Sequence, residues 1–158
     1  VWLNDDKLYL YDISTNKVRI ILDNSFTKKD LCIFENKIVW SDNRNGKSNF
    51  DIFMLDLTNN KEIQITNFQD TSETGCSIYE DKIVYIRPKT IGKDAWGDEE
   101  AYNNVYLYDI NSEKTIEISD PNKKTSKSNP QIFKNKIIWQ DWTDESYSAY
   151  KVIMLYNF

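Results

Sequence analysis

One seven-residue phrase occurs four times along this 158-residue chain, and no other feature limits its fold so strongly. The phrase reads Lys7-Leu8-Tyr9-Leu10-Tyr11-Asp12-Ile13, then Asp51-Ile52-Phe53-Met54-Leu55-Asp56-Leu57. It returns as Asn104-Val105-Tyr106-Leu107-Tyr108-Asp109-Ile110 and as Val152-Ile153-Met154-Leu155-Tyr156-Asn157-Phe158. Its sixth position falls at Asp12, Asp56, Asp109 and Asn157, in steps of 44, 53 and 48 residues. A strand-like phrase repeating at that interval implies a row of similar small units, each leaning on its neighbour, rather than one irregular core.

A second phrase precedes the first in each unit. It reads Cys32-Ile33-Phe34-Glu35-Asn36-Lys37-Ile38-Val39-Trp40-Ser41-Asp42, and recurs from Ser77 to Arg87 and from Gln131 to Asp141. Its β-branched and aromatic residues suit a pleated, packed surface. Its centre, Glu35-Asn36, Glu80-Asp81 or Lys134-Asn135, is polar and tolerant of turns. A short turn and a fourth strand follow the first phrase, as in Thr115-Ile116-Glu117-Ile118-Ser119, where apolar and polar residues alternate. Nowhere do apolar residues recur at three-and-four spacing over a dozen residues, so a helical reading fails.

Each unit is thus four antiparallel strands, A to D from the inside outward, and the expected fold is an all-β, β-propeller-like array. The units run approximately over residues 1–23, 31–67, 76–119 and 130–158 of a single repeat domain. The first has strands B, C and D, and the last has A, B and C. That makes about three and a half blades and predicts a piece of a longer propeller. Assembly with a second copy or another chain through the open blade faces is the alternative.

The run from Lys37 to Arg44, followed by Asp51 to Leu57 and Glu62-Ile63-Gln64-Ile65-Thr66, resembles the TolB-like β-propeller repeat of bacterial and archaeal cell-surface and periplasmic proteins. The resemblance covers nearly the whole chain, with Tyr85 and Arg87 standing where the other units have Trp and Asp. It implies an extracytoplasmic setting. No signal peptide is present, so export would be directed by a segment outside this chain.

Formal net charge is −5, and the lysines are scattered, which argues against nucleic acid as a partner. No apolar run reaches membrane-spanning length, so no membrane insertion is expected. Cys32 aligns with Ser77 and Cys76 with Leu31, one position out of register. Their side chains should point to opposite faces of equivalent strands. Two buried or half-buried free thiols are the expectation, with a disulfide the less favoured alternative.

The A–B and C–D turns at one end of the array are short and uniform, whereas the B–C and D–A connections at the other end vary. Variation on one rim of a uniform scaffold places binding there. The most distinctive segment is Pro88 to Asn103, read as a loop of about 16 residues within the third unit. Its Asp94, Trp96, Asp98, Glu99 and Tyr102 could offer an aromatic platform beside acidic groups; alternatively Trp96 tucks against the blade below. Asp42 with Arg44, and Asp141 with Trp142, are further rim candidates, either as recognition groups or as local loop anchors. Trp40, Tyr85 and Trp139 recur at one strand-B position and are expected to pack between blades, with Trp2 at the same position. Asp12, Asp56 and Asp109 are expected to accept hydrogen bonds from turn N–H groups.

Catalysis has little support in the residues. The chain has no histidine, which removes the common triads and His-bound metal sites. It has neither a Cys-x-x-Cys pair nor a glycine-rich phosphate loop. No cofactor is expected, though Asp94, Asp98, Glu99 and Glu100 make a calcium site conceivable. The expected function is a non-catalytic module binding protein or glycan through the rim. A propeller attached to an extracytoplasmic hydrolase or lyase, with active residues outside this chain, is the alternative.

Overall fold

Two-residue turns fold each second phrase back on itself, so that Phe34 pairs with Lys37, Tyr79 with Lys82 and Phe133 with Lys136. The first turn residue, Glu35, Glu80 or Lys134, takes a left-handed backbone. The computed structural model describes residues 1–93, 96–142 and 151–158, and every regular element among them is a strand. Blade I comprises β1 (Trp2–Asn4), β2 (Lys7–Asp12) and β3 (Lys17–Leu22). Blade II is β4 (Lys28–Phe34), β5 (Lys37–Asp42), β6 (Asp51–Asp56) and β7 (Lys61–Gln64). Blade III is β8 (Thr74–Tyr79), β9 (Lys82–Lys93), β10 (Glu99–Asp109) and β11 (Lys114–Glu117). Blade IV is β12 (Lys127–Phe133), β13 (Lys136–Trp142) and β14 (Lys151–Asn157). All pairings are antiparallel between strands adjacent in sequence, so each sheet is a meander, as a propeller blade requires.

Two expectations need correction. The innermost strands begin at Lys28, Thr74 and Lys127, ahead of the expected unit starts at 31, 76 and 130. A bulge interrupts the register of each, between Lys29 and Cys32, Thr74 and Ser77, and Ser128 and Gln131. Each bulge holds one residue in left-handed backbone, namely Asp30, Gly75 and Asn129, the three residue types that accept it most readily. The bulge breaks the apolar run and hid the strand's true start. Second, Pro88 to Asn103 is no loop. β9 and β10 continue as a paired hairpin up to Lys93 and Glu99, with Pro88 opposite Asn103 and a bulge at Glu100/Ala101. β8 reaches only as far as the Thr74–Ile86 pair, so Pro88 lies where β9 is a free edge and needs no donor on that side.

Alternation along the strands sends one set of side chains toward the preceding blade and the other toward the following one. Trp40, Phe53 and Leu55 meet Leu8 between blades I and II. Tyr85, Tyr106 and Tyr108 meet Val39, Ile52 and Met54 between II and III. Trp139, Ile132 and Ile137 meet Val84, Val105 and Leu107 between III and IV. Trp40, Tyr85 and Trp139 therefore fill equivalent inter-blade positions, as expected. Within blades I to III the strand-B ring lies over its cross-strand partner: Trp2 on Tyr9, Trp40 on Phe53 and Tyr85 on Tyr106, at 5.2, 6.1 and 5.7 Å. The outward faces of the end blades are uncovered, exposing Trp2 and Tyr11 on one and Phe133, Ile138, Ile153 and Leu155 on the other.

The cysteine parity was right, but it brings the two together. Opposite faces of equivalent strands on neighbouring blades look at each other. Both residues belong to the blade II–III interface, as free thiols with their sulfurs 3.1 Å apart.

Trp40 is fully buried while Trp2, at the same strand position, is 39% exposed. Trp40→Ala should therefore cost about 3–5 kcal/mol in urea denaturation, and Trp2→Ala less than about 1 kcal/mol. Equal losses would contradict the inter-blade packing described here.

Candidate functional site on the loop rim

The uniform end of the array is held by carboxylates at the ends of the C strands. Asp12 accepts from the N–H groups of Ser14 and Thr15, Asp56 from Thr58, and Asp109 from Asn111 and Ser112. The Ser112 N–H and the Lys82 ammonium hold the Asp109 carboxyl down to about 2. These aspartates are structural, as expected.

The opposite rim rests on buried charges that sequence reading missed. Lys28 and Asp42 sit opposite each other at the ends of β4 and β5, and Lys127 and Asp141 at the ends of β12 and β13. All four are buried. The Lys28 ammonium donates to the carbonyls of Asp6 and Phe26 at 2.7 Å each and to the Asn24 side chain at 2.5 Å. Lys127 donates to the carbonyls of Lys123 and Thr125. Each lysine thus gathers the preceding D–A loop, which satisfies its donors in place of water. Burial lowers both lysine pKa values, against the pull of Asp42 and Asp141.

The aspartates anchor the facing loops. Asp42 accepts from the Trp40 indole at 3.3 Å, the Arg44 N–H at 2.8 Å and the Arg44 guanidinium at 2.8 and 3.1 Å. Asp141 accepts from Lys123 at 2.9 Å and Thr125 at 2.5 Å. Held in this way, Asp42 and Asp141 are loop anchors and present no carboxylate to a partner. Arg44 also pairs with Glu62 and lies 4.0 Å over the Phe53 ring. Trp142 is half-buried at the end of β13, its N–H donating to the Ser126 carbonyl.

Blade III reverses the charges. The aligned positions hold Glu73 and Arg87, one step beyond the Thr74–Ile86 pair. The Arg87 guanidinium stacks 4.0 Å over Tyr106 and 4.3 Å over Phe68. Glu73 is fully buried, accepts from the Thr71 hydroxyl at 2.7 Å, and is pushed by burial from 4.5 to about 7. The signal that could have found this cluster was the opposite-sign exchange at two aligned positions of the repeat.

The long hairpin projects from the same rim. The Tyr102 hydroxyl donates to Glu100 at 2.6 Å, Lys124 pairs with Glu100 at 3.0 Å, and Lys89 pairs with Glu117 at 2.9 Å. These bonds tie its base to the following D–A loop and to β11. Asp98 and Glu99 are exposed near the tip, and Trp96 is 87% exposed rather than tucked against the blade. Asp94, and the segment 143–150 of the last B–C connection, lie outside the described residues. Among the described residues no acidic or thiol cluster gathers in a geometry suited to a metal ion, and Glu100 of the conceivable calcium set is engaged by Lys124 and Tyr102.

Grooves open between the rim segments. One of about 560 Å³ lies between Phe26 and Thr27 on one wall and Arg44 and Lys47 on the other. Another, of about 290 Å³, runs between Asn45–Asn49 and Gln69–Ser72 and is rich in amides and hydroxyls. A third, of about 530 Å³, separates Lys89–Ile91 of the hairpin from Pro121–Lys124. The loop from Asn43 to Phe50 forms a wall of the first two.

Glu73 links this rim to pH. Its folded-state value lies above that of an unfolded glutamate, so the native chain keeps the proton to higher pH. The contribution of this group to stability is therefore greatest below about pH 4.5 and falls as pH rises toward 7, by at most about 1.4 kcal/mol per pH unit. Asp109 acts in a separate window, where stability is lost on acidification from 3.8 toward about 2. Urea midpoints of the native chain should decline between about pH 5 and 7, and Glu73→Gln should flatten that decline. A variant that keeps the full slope would show that another group carries it.

No family model matches the sequence, and neither does any curated protein. Solved structures do. The chain is similar to TolB from Acinetobacter baumannii, with a TM-score of 0.66 and 14% identity over 96% of this chain and 35% of that one. It is similar to Kuenenia stuttgartiensis hydrazine synthase, with a TM-score of 0.67 and 12% identity over 94% of this chain and 26% of that one. Dipeptidyl peptidase 4 of Porphyromonas gingivalis matches with a TM-score of 0.54 and 11% identity, over 90% of this chain and 28% of that one. The chain therefore spans about a third of the TolB chain that it matches, and what it shares with these proteins is the fold, a TolB-like β-propeller.

Proposed function

We propose that this chain is a non-catalytic binding or scaffold module, a TolB-like propeller segment in an extracytoplasmic setting that engages protein or glycan through its B–C and D–A rim. The observation that supports this most directly is the crowding of grooves and of the projecting hairpin onto that one rim. The blades beneath repeat closely, and the uniform end is tied into tight turns. Lined by Asn45, Asn49, Gln69 and Ser72, the narrower groove offers paired donors and acceptors, which suits sugar hydroxyls or peptide backbone. The exposed Trp96 adds an apolar platform, and exposed aromatic anchors of this kind commonly carry binding energy. The extracytoplasmic setting rests on the repeat resemblance, and the uncovered faces of blades I and IV suit a neighbouring blade.

The test replaces residues 90–101 with Asn-Gly, a turn suited to the flanking Lys89–Tyr102 pair. Peptide and glycan arrays probed with the native and shortened chains should show capture reduced at least tenfold by the replacement, with an unchanged urea midpoint. Trp96→Ala should give part of that loss. Undiminished capture by the shortened chain would remove the hairpin from the site.

A second reading is favoured by the likeness to two peptidases, of which this chain spans 21% and 28%. In it the segment belongs to a larger hydrolase or lyase whose active residues lie elsewhere. Hydrolytic assays should then be blank with this chain and positive with the full-length protein.

A further inference from the structure

We propose that Cys32 and Cys76 form an inter-blade disulfide by thiol–disulfide exchange, clamping blades II and III together at their innermost strands. The two sulfurs are 3.1 Å apart across 44 residues of chain. They lie on β4 and β8, which are neighbours in space but belong to different sheets. The bulges set this meeting. Cys76 is a bulge residue, following the left-handed Gly75, and so turns back toward blade II, while Cys32 is the first residue to regain regular pairing, opposite Val39. A second contact fixes the approach: the Asp30 carboxylate accepts from the Gly75 N–H at 2.9 Å and the Ser41 hydroxyl at 3.2 Å, holding the two bulges side by side.

Blade packing as such does not require this pair. At the blade III–IV interface the aligned positions are Ser77 and Pro130, with the Ser77 hydroxyl accepting from the Ile132 N–H at 3.3 Å. One of the three interfaces thus carries two touching thiols in place of ordinary packing residues. Its neighbours form an apolar cluster including Val39, Ile78 and Tyr85, and the Cys76 thiol also donates to the Asp30 carbonyl at 2.7 Å, a bond that oxidation exchanges for the disulfide.

The chemistry needs an oxidant, and a small-molecule disulfide such as oxidised glutathione supplies it. Cys32 is half-buried and Cys76 only 7% exposed, so Cys32 meets the reagent first. Its thiolate attacks one glutathione sulfur, forming a mixed disulfide and releasing one reduced glutathione as thiolate. Cys76, deprotonated, then attacks the Cys32 sulfur and releases the second. Two protein thiols are oxidised by two electrons, and one glutathione disulfide is reduced to two thiols. The Cys32 contact and burial raise the Cys76 thiol well above its ordinary value. The second step is accordingly the slow one and quickens as pH rises.

The experiment incubates the folded chain with oxidised glutathione, without denaturant, and compares it with chain kept in dithiothreitol. Both thiols should vanish from an Ellman titration. The mass should fall by two hydrogen atoms, and a non-reduced digest should contain Cys32 and Cys76 peptides joined. The thermal midpoint should rise by about 5–10 °C relative to the reduced chain, and the rise should disappear on adding dithiothreitol. Cys76→Ser should trap glutathione on Cys32 and show no such rise. Two thiols still titrating in the native chain after prolonged exposure would overturn the proposal. So would glutathione held stably on Cys32 beside an unreacted Cys76, or crosslinking only between chains.

Discussion

The rim depends on residues of opposite charge type set facing each other at the end of each inner hairpin, both of them buried in blades II and IV. Lys28 with Asp42, Glu73 with Arg87 and Lys127 with Asp141 occupy the same place in successive blades. A lone charge there would carry the full desolvation cost, so the two members stand or fall together. What they contribute is position more than stability. The lysines gather the carbonyls of the incoming D–A loops, and Lys28 also that of Asp6 in the first B–C turn. The aspartates hold Arg44 on one loop and Lys123 and Thr125 on another. Groove walls on both sides are thereby fixed to one strand end. The reversal in blade III places a buried carboxyl, raised by burial to about 7, opposite a half-buried arginine, and changes the use of the cation. Arg87 covers the Tyr106 ring directly, as Arg44 covers Phe53 from two residues further along. Lys89, at the position aligned with Arg44, is left to bind Glu117 on the outer strand, much as Arg44 binds Glu62.

Strand parity organises the rest. Because every blade sends its strand-B ring toward the preceding blade and its other face toward the next, a residue's burial depends on which neighbour is present. Trp2 and Trp40 share a position and differ in exposure for this reason, as do Val39 at 0% and Ile138 at 41%. Parity also accounts for the cysteines. One position out of register is enough to make two side chains on adjacent inner strands converge, provided the strands belong to neighbouring blades.

Much of this was legible in the residues. The four-stranded unit, the order of strands, the missing A strand in blade I and the inter-blade role of Trp40, Tyr85 and Trp139 all follow from repetition and alternation. So does the role of Asp12, Asp56 and Asp109 in their turns. The inner strand starts were hidden because Asp30, Gly75 and Asn129 look like turn residues, and here they serve bulges inside a strand. The hairpin of blade III was hidden because Pro88, Gly92 and Gly97 look like loop punctuation. Proline is tolerated on the free edge beyond β8, and the pairing around Gly92 survives a bulge. The buried pairs were missed because Lys28 and Lys127 read as ordinary surface lysines. Asp42 and Asp141 recur inside the repeated phrase, whereas Lys28 and Lys127 precede the apolar runs that mark each unit.

The hairpin and the buried pairs divide the work of the rim. Residues that repeat along the blades are consumed by the fold: Asp42 and Asp141 have no exposed carboxylate to offer, and the rings of strand B face neighbouring blades. Selection for a ligand cannot act on those positions without disturbing the packing beneath. It can act on Asn45 to Asn49, on Gln69 to Ser72 and on the hairpin tip, which differ from unit to unit. The hairpin is the extreme case, because strand pairing from Pro88 to Lys93 supports its own backbone beyond the reach of β8. The repeated positions are thus committed internally, while the variable positions meet on one rim. That separation makes the rim segments, rather than the repeat phrase, the place where the units of this chain differ from one another.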